Sequence, residues 1–153
     1  MKSVASAPGK VILFGEHFVV YGTSALLCSI DKRIIVTSQT TDEKMIKIES
    51  DIDHIEMSNN SLSIMNESTP KTMKPFLYII KKTLERFKKD VGIEVKIESE
   101  IPPGIGLGSS SACCVAAAAS ITALFEKLSR EEILKLAIEA ERTIFENTSG
   151  ADC

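Results

Sequence analysis

Apolar residues that recur at every second position predict strands along much of this chain. Residues 3–14 form an apolar run punctuated by Pro8-Gly9-Lys10, which predicts a strand interrupted by a turn. Residues 33–40 predict a longer strand, and residues 91–98 alternate apolar and polar side chains with a period of two. The last of these strands leads directly into a glycine-rich segment.

Weaker strand signals lie around Gly22 and after residue 40. Residues 18–21 and 25–28 predict two short strands on either side of Gly22. Met45–Glu49 alternates as a strand does, and Asn59–Ser61 favours a turn. The stretch from 41 to 69 is therefore expected to form a polar hairpin or an irregular surface excursion, and it carries no functional motif.

Two apolar segments predict helices of different character. Pro75 suits the first turn of a helix whose apolar residues fall on one side, and Gly92 is expected to close that helix. From Ser111 to Phe125 the residues are small or apolar and none is charged. Such a helix has no polar face, so we expect protein to surround it on every side.

A third helix is expected to contain a carboxylate on its apolar face. Ser129-Arg-Glu-Glu132 is a capping box, so the helix should begin near Arg130 and run to about Glu146. At about 100° per residue, Glu141 falls in the middle of the apolar stripe. Because a buried carboxylate is costly unless it is paired, this position predicts either a metal ion or a buried ion pair with a lysine or arginine.

The segment before the uncharged helix has the composition of an anion site. Gly104, Gly106 and Gly108 allow a positive φ and a close approach to a ligand, and three serines follow where the helix should begin. A helix N-terminus offers N–H groups and a positive dipole to a phosphate, while a serine hydroxyl could reach a phosphate-bound metal. The spacing matches neither the Walker A nor the dinucleotide-binding fingerprint. The alternative is a glycine-rich turn that only caps a buried helix.

Composition narrows the class of protein. A chain of 153 residues fits one domain, and a net charge of −3 argues against nucleic acid as the main partner. The apolar runs are shorter than the ~18 residues of a membrane span, and the N-terminus lacks the apolar core of a secretory signal, so we expect a cytoplasmic protein without a membrane partner. The four cysteines show no metal-ligand spacing and are expected to be reduced core residues.

Three segments together resemble the GHMP small-molecule kinases. They read PGKVILFGEHFVVYG over 8–22, PPGIGLGSSSA over 102–112 and ERTIFENTSGAD over 141–152. The resemblance extends over nearly the whole chain and is weak between residues 41 and 90. It implies an α+β fold, that of the N-terminal ATP-binding domain of these kinases, with a mixed or antiparallel sheet packed with helices over residues 1–153.

The same resemblance implies a place for ATP and Mg²⁺. The nucleotide phosphates would lie on the loop before the uncharged helix, and Ser110 with Glu141 would hold Mg²⁺. These roles agree with the residue-level argument, since phosphoryl transfer needs positioning and neutralisation of oxygen charge. The residues implied to bind the nucleotide are Pro103, Gly104, Ile105, Gly106, Leu107, Gly108, Ser109, Ser110 and Ser111.

Further roles follow from the resemblance for the acceptor side. Asp152 would take the proton from the accepting hydroxyl. Lys10 would help to ionise that hydroxyl, stabilise the transferred charge and contact the substrate. Glu16 and His17 would line the acceptor pocket.

The implied activity is ATP-dependent phosphorylation of a small alcohol, and the segment around Glu16 and His17 favours mevalonate. Homoserine, phosphomevalonate or a sugar are the alternatives within the family, and a non-catalytic nucleotide-binding module is the alternative outside it. Residues 145–148, Phe-Glu-Asn-Thr, depart from the family's usual sequence at the acceptor pocket. Kinases of this family usually continue well beyond this point through a third glycine-rich motif. We therefore expect this chain to be the N-terminal part of a kinase without its C-terminal domain, with weak or no activity alone. The full-length protein is expected to be able to form a homodimer.

Overall fold

The computed structural model describes residues 1–15, 21–63, 69–102 and 104–145. Within these ranges the chain forms strands, helices and two 3-10 turns, Asn59–Ser63 and Lys71–Met73. The strands are β1 (Lys2–Phe14), β2 (Leu26–Thr41), β3 (Met45–Ser50), β4 (His54–Ser58) and β5 (Gly92–Ser99). The helices are α1 (Lys74–Phe87), α2 (Ser109–Thr122) and α3 (Arg130–Glu141).

The strands form one mixed sheet in the order β1-β2-β5-β3-β4. Neighbouring strands are antiparallel except for β3 and β5, which run parallel. Parallel neighbours need a crossover connection, and here the chain passes through β4 and α1 between them. The expected α+β fold with a mixed sheet is confirmed.

The two faces of the sheet differ in chemistry. Val36, Ile46 and Val95 point to one face and are buried, and α2 packs against β1 and β2 on that side. On the other face Gln39 lies beside Glu94 in register, and Glu94 lies beside Lys47. One face therefore carries the hydrophobic core and the other carries hydrogen-bonding and charged side chains, as the alternation in β5 predicted.

The first two strands are longer than predicted. β1 continues through Pro8-Gly9-Lys10, where the pairing with β2 shifts in register, so this segment is a bulge inside one strand. β2 joins the predicted strands at 25–28 and 33–40 into one element. It pairs with β5 only from Ile34 onward, so its first half forms a two-stranded ribbon with β1 in which polar side chains are tolerated on both faces.

Of the short strand predicted at 18–21, only the last residue, Tyr21, lies in the described part of the chain, and it is not part of a strand. The hairpin expected between residues 41 and 69 is present as β3 and β4. It is not a surface excursion, because Ile46 and Ile48 are fully buried in the core.

The end of α1 corrects one prediction. The helix ends at Phe87 and is capped by Lys88, which adopts the left-handed conformation with φ 51°, whereas Gly92 is the first residue of β5. A Cβ at Gly92 would lie 1.8 Å from the carbonyl oxygen of Glu43. Gly92 is therefore required by close packing between backbones and does not terminate the helix.

The other two helices begin as predicted. Every residue of α2 is buried or half-buried, in agreement with its uncharged sequence. At the start of α3, Ser129 and Glu132 form both hydrogen bonds of the capping box. The helix ends at Glu141 and not near Glu146 as expected, and turns follow over residues 142–144.

The described helices include none that is long and apolar enough to cross a membrane. The cysteine prediction holds only in part. Cys114 is buried and Cys113 is half-buried, but Cys28 is exposed on the ribbon, and Cys153 lies outside the described residues.

Candidate functional site

The loop between β5 and α2 depends on glycine for its path. Gly104, Gly106 and Gly108 have φ values of 77°, 76° and 69°. L side chains rarely adopt this left-handed region, so the strain would arise even at Gly104 and Gly106, where an added Cβ would meet nothing within 4 Å. The positive φ predicted for the three glycines is confirmed.

This loop ends at an N-terminus without a side-chain cap. Gly108 is the N-cap of α2 and no side chain makes a capping hydrogen bond there. Ser109 and Ser110 are half-buried in the first turn, and Ser111 is buried. The first turn of an α-helix directs N–H groups and positive dipole charge outward, so this end of α2 is suited to an anion.

Lys10 lies across this N-terminus. Its backbone N–H donates to the carbonyl oxygen of Leu107 at 3.0 Å. An added Cβ at Gly108 would lie 2.9 Å from Lys10 Cγ and 3.2 Å from Cε, so the aliphatic stem of the lysine passes over that glycine. An added Cβ at Gly9 would be 3.0 Å from the same carbonyl oxygen of Leu107. The bulge in β1 therefore brings a lysine to the glycine loop, although nearly a hundred residues separate them.

Glu141 reaches the same helix from the end of α3. The side chain is 4% exposed, which confirms the core position predicted from the helical angle. The hydroxyl of Ser111 donates a hydrogen bond to Glu141 Oε1. Ser110, expected to hold Mg²⁺ together with Glu141, is the residue before Ser111 in the same turn. Hydroxyl and carboxylate oxygens of these three residues are ligands that a hard divalent cation such as Mg²⁺ accepts.

A cavity of about 380 Å³ opens beside the first turn of α2. Its surface is mainly apolar, and the thiol of Cys113 adds to this character because burial raises its pKa to about 12 and keeps it protonated. The lining residues come from β5 and α2 and from the β3–β4 turn and the start of α1. Its lining includes Ser50, Asp51, Ile52, Thr72, Met73, Phe76, Ser99, Glu100, Pro102, Ser109, Ser110 and Cys113.

The contribution of the β3–β4 turn and of the start of α1 to this lining was not predicted. Ser50–Ile52 and Thr72–Phe76 lie in a stretch without a functional motif, and they meet the glycine loop only through the crossover of the sheet. The capped turn after β3, rich in Ser and Asp, was the available signal.

Four predicted site residues cannot be located. Glu16, His17, Pro103 and Asp152 lie outside the described residues. In the part of the chain that the structure does describe, no three His, Cys, Asp or Glu side chains gather as a metal-binding group. The residues brought together are thus Lys10, the glycine loop, the serines of α2 and Glu141.

Comparison with known proteins agrees with this arrangement. The family described as GHMP kinases N terminal domain matches residues 76–153. Mevalonate kinase from Pyrococcus furiosus is 39% identical over 99% of this chain and 48% of its own length, and that from Pyrococcus horikoshii is 40% identical over 97% and 47%. The solved mevalonate kinase of Methanococcus jannaschii superposes with a TM-score of 0.88 at 30% identity, over 99% of this chain and 50% of its own.

The matches extend over almost all of this chain and leave the other half of each relative without a counterpart. The chain spans about half the length of the curated relatives that it matches. Its glycine loop and α2 lie inside the matched family region. On these grounds the chain belongs to the GHMP kinase family.

Proposed function

We propose that this chain is the ATP-binding half of a mevalonate kinase, which transfers the γ-phosphoryl group of ATP to the 5-hydroxyl of mevalonate in isoprenoid synthesis. The observation that carries the proposal is the contact between Lys10 and Gly108 at the uncapped N-terminus of α2. It joins a cation, a glycine loop and a helix dipole at one point, as phosphoryl transfer requires. The two Pyrococcus relatives, both named mevalonate kinase, support the choice of reaction.

ATP would bind along the loop and into the neighbouring cavity. Its phosphates would accept hydrogen bonds from N–H groups of the loop and of the first turn of α2. Ser109 and Ser110 belong both to that turn and to the cavity lining, so the base and ribose would enter the cavity directly from the phosphate site. A largely apolar cavity of this size suits a nucleobase.

The described residues fit a Mg²⁺ ion that accompanies ATP. Ser110 and Glu141 would hold it, and Ser111 would orient the Glu141 carboxylate through its hydrogen bond. The fit rests on the buried carboxylate at the first turn of α2, because Mg²⁺ is usually held by one or two carboxylates together with phosphate oxygens and water. When bound, the ion would neutralise negative charge on the phosphate oxygens.

Besides neutralisation of the phosphate charge, the transfer itself needs a proton acceptor and aligned reactants. The oxygen of the accepting hydroxyl forms a bond to the γ-phosphorus while the bond from that phosphorus to the β–γ bridging oxygen breaks, and ADP leaves. Asp152 would take the hydroxyl proton, and Lys10 would stabilise the charge on the transferred group. Holding the two reactants in line can supply up to about 7–11 kcal/mol of the barrier reduction.

The identity of the acceptor alcohol is a more specific part of the proposal. Glu16 and His17 would contact it, and they make mevalonate our choice over homoserine, phosphomevalonate or a sugar. A cytoplasmic location and a homodimer of the full-length protein stay predictions.

A coupled assay of ADP formation tests the proposal. The complete polypeptide, with any residues encoded after Cys153, is given ATP, Mg²⁺ and each of the four acceptors in turn. We expect turnover with mevalonate in the range of about 1–100 s⁻¹ that is usual for kinases. Turnover with homoserine or a sugar but not with mevalonate would overturn the choice of mevalonate as the acceptor. An absence of ADP with every acceptor would overturn the proposed kinase activity.

A further inference from the structure

A side-chain hydrogen bond joins two chain segments that line the cavity. One is the turn between β3 and β4, which contributes Ser50, Asp51 and Ile52 to the lining. The other is the 3-10 turn Lys71–Met73, which contributes Thr72 and Met73. The Thr72 hydroxyl donates to Asp53 Oδ2 at 2.9 Å.

The β3–β4 turn is held in one shape by Ser50. The Ser50 hydroxyl accepts hydrogen bonds from the backbone N–H groups of Ile52 at 3.3 Å and Asp53 at 3.1 Å, and it donates to the Asp53 carbonyl oxygen at 2.9 Å. The backbone N–H of Ser50 donates to the same carbonyl oxygen, also at 2.9 Å. These hydrogen bonds hold the turn together, and it leads into β4, one of the two edge strands of the sheet.

Asp53 connects this turn to the 3-10 turn Lys71–Met73. One carboxylate oxygen accepts from the backbone N–H of His54 at 3.0 Å, which fixes the side chain at the start of β4. The other accepts from Thr72. The same carboxylate thus anchors the turn and joins it to the segment that leads into α1.

Ile52 relates the hydrogen bond between Asp53 and Thr72 to ligand binding. It lines the cavity, yet 69% of the residue is exposed. A large apolar side chain held at the rim of an apolar cavity gains burial when a flat apolar ring enters beneath it. Its position over the cavity follows from the shape and anchoring of the turn.

We propose that Asp53 and Thr72 are positioning residues for the nucleotide: their hydrogen bond holds the β3–β4 turn at the cavity so that Ile52 covers the base. This inference rests on the proposed function, since it takes ATP as the occupant of the cavity. Asp53 and Thr72 would then contribute to the part of the nucleotide affinity that comes from the base, and not to the part that comes from the phosphates.

The test compares Thr72→Val, which keeps the side-chain shape and removes the hydroxyl, with Thr72→Ser, which keeps the hydroxyl. The complete polypeptide is titrated with ADP and with inorganic tripolyphosphate by calorimetry, and unfolding in urea is measured for each variant. Tripolyphosphate occupies a phosphate site without a base, so it separates the two parts of the nucleotide site.

For Thr72→Val we expect the Kd for ADP to rise about two- to tenfold, the range that one hydrogen bond of ordinary net strength supplies. The Kd for tripolyphosphate should stay unchanged, and Thr72→Ser should bind ADP as the parent chain does. In the complete enzyme the KM for ATP should rise while kcat is retained.

Three results would overturn the inference and leave the proposed function standing. They are an unchanged Kd for ADP in Thr72→Val, an equal weakening of ADP and tripolyphosphate, and a loss in Thr72→Ser as large as in Thr72→Val. If the parent chain bound tripolyphosphate as tightly as ADP, the cavity would not hold the base and the inference would again fail alone. If it bound neither, the proposed function would fail together with the inference.

Discussion

The hydroxyl of Ser111, in the first turn of α2, donates a hydrogen bond to the buried carboxylate of Glu141, thirty residues further along the chain. Both residues are almost completely buried, at 1% and 4% exposure. The bond joins the last residue of α3 to the helix end that we propose as the phosphate site. Burial of a charged carboxylate here opposes folding unless its charge is compensated, and a bound cation would compensate it.

Substitution of Glu141 by glutamine tests its role as a metal ligand. In the complete polypeptide we expect the Mg²⁺ concentration at half-maximal activity to rise at least about tenfold, because an oxygen ligand loses its charge. Without Mg²⁺, the free energy of unfolding should be unchanged or higher, since a buried charge has been removed. Magnesium titrations of activity and urea unfolding measure the two effects.

Glu131→Gln is the control for that experiment, because Glu131 is an exposed carboxylate on the same helix. It should leave the Mg²⁺ dependence as it is. An unchanged Mg²⁺ dependence in Glu141→Gln as well would mean that the carboxylate has only a structural role.

Substitution of Asp152 by asparagine tests the proposed base. We expect kcat to fall by roughly 10²–10⁴, the usual range for loss of a positioned base, while the Kd for ADP stays within about twofold. Asp90→Asn, which alters an exposed carboxylate paired with Lys44, is the control and should retain kcat. If Asp152→Asn kept more than about a third of the parent turnover, another group would have to accept the proton.

A matched pair of glycine substitutions tests the contact between Lys10 and the loop. Gly104→Ala and Gly108→Ala both force alanine into the left-handed region, at a cost of roughly 1–2 kcal/mol. Only at Gly108 does the new Cβ collide with Lys10, at 2.9 Å from its Cγ. We expect kcat/KM for ATP to fall roughly ten- to a hundredfold more in Gly108→Ala, because displacement of a catalytic group by about 1 Å has effects of that order.

Steady-state kinetics on the two variants, with urea unfolding to compare their stabilities, makes this measurement. Equal kinetic losses in the two variants would show that backbone strain alone accounts for them, and that the position of Lys10 over Gly108 has no kinetic role.

The start of α3 predicts a pH dependence of stability. The hydrogen bond from Arg86, at 2.7 Å, together with those from Ser129 lowers the pKa of Glu132 from 4.5 to about 2. Since the pKa is lower in the folded chain, the ionised carboxylate contributes its full stabilisation above about pH 4.5 and loses it as the pH falls towards 2. Glu132→Gln should therefore be less stable than the parent at pH 7, with the difference declining through this window.

Urea unfolding at pH 7, 4 and 2.5 follows this difference, with Glu131→Gln as the control. A stability difference that did not change with pH would contradict the assigned pKa and point to a purely geometric role in the capping box.

The sequence predictions were confirmed where their physical cause lies within a few turns along the chain, and failed where it lies in a distant segment. The capping box at Ser129 and the buried position of Glu141 follow from helix geometry within a few turns, and both are confirmed. Gly92 was misassigned because its role comes from the carbonyl of Glu43, which the sheet brings close and no local pattern reveals. The end of α3 was placed too late because residues 142–146 contain no glycine or proline to stop a helix.

The site was predictable where a motif carried it and not elsewhere. The glycine loop and its serines could be identified from composition, and Lys10 was associated with them only through the family resemblance. The hydrogen bond between Asp53 and Thr72 joins two segments 19 residues apart that have no functional signature of their own. Such a contact depends on the sheet order β5-β3-β4, which the sequence alone does not specify.

The most direct test of the central claim is an amide NMR titration of the ¹⁵N-labelled 153-residue chain with ADP and Mg²⁺. If the phosphates bind at the N-terminus of α2, the largest shift changes will fall on the amides of Gly106–Ser111, with smaller changes at Lys10 and Ile52. Changes that concentrate on the polar face of the sheet, around Lys47 and Lys96, with none in the glycine loop, would contradict the account.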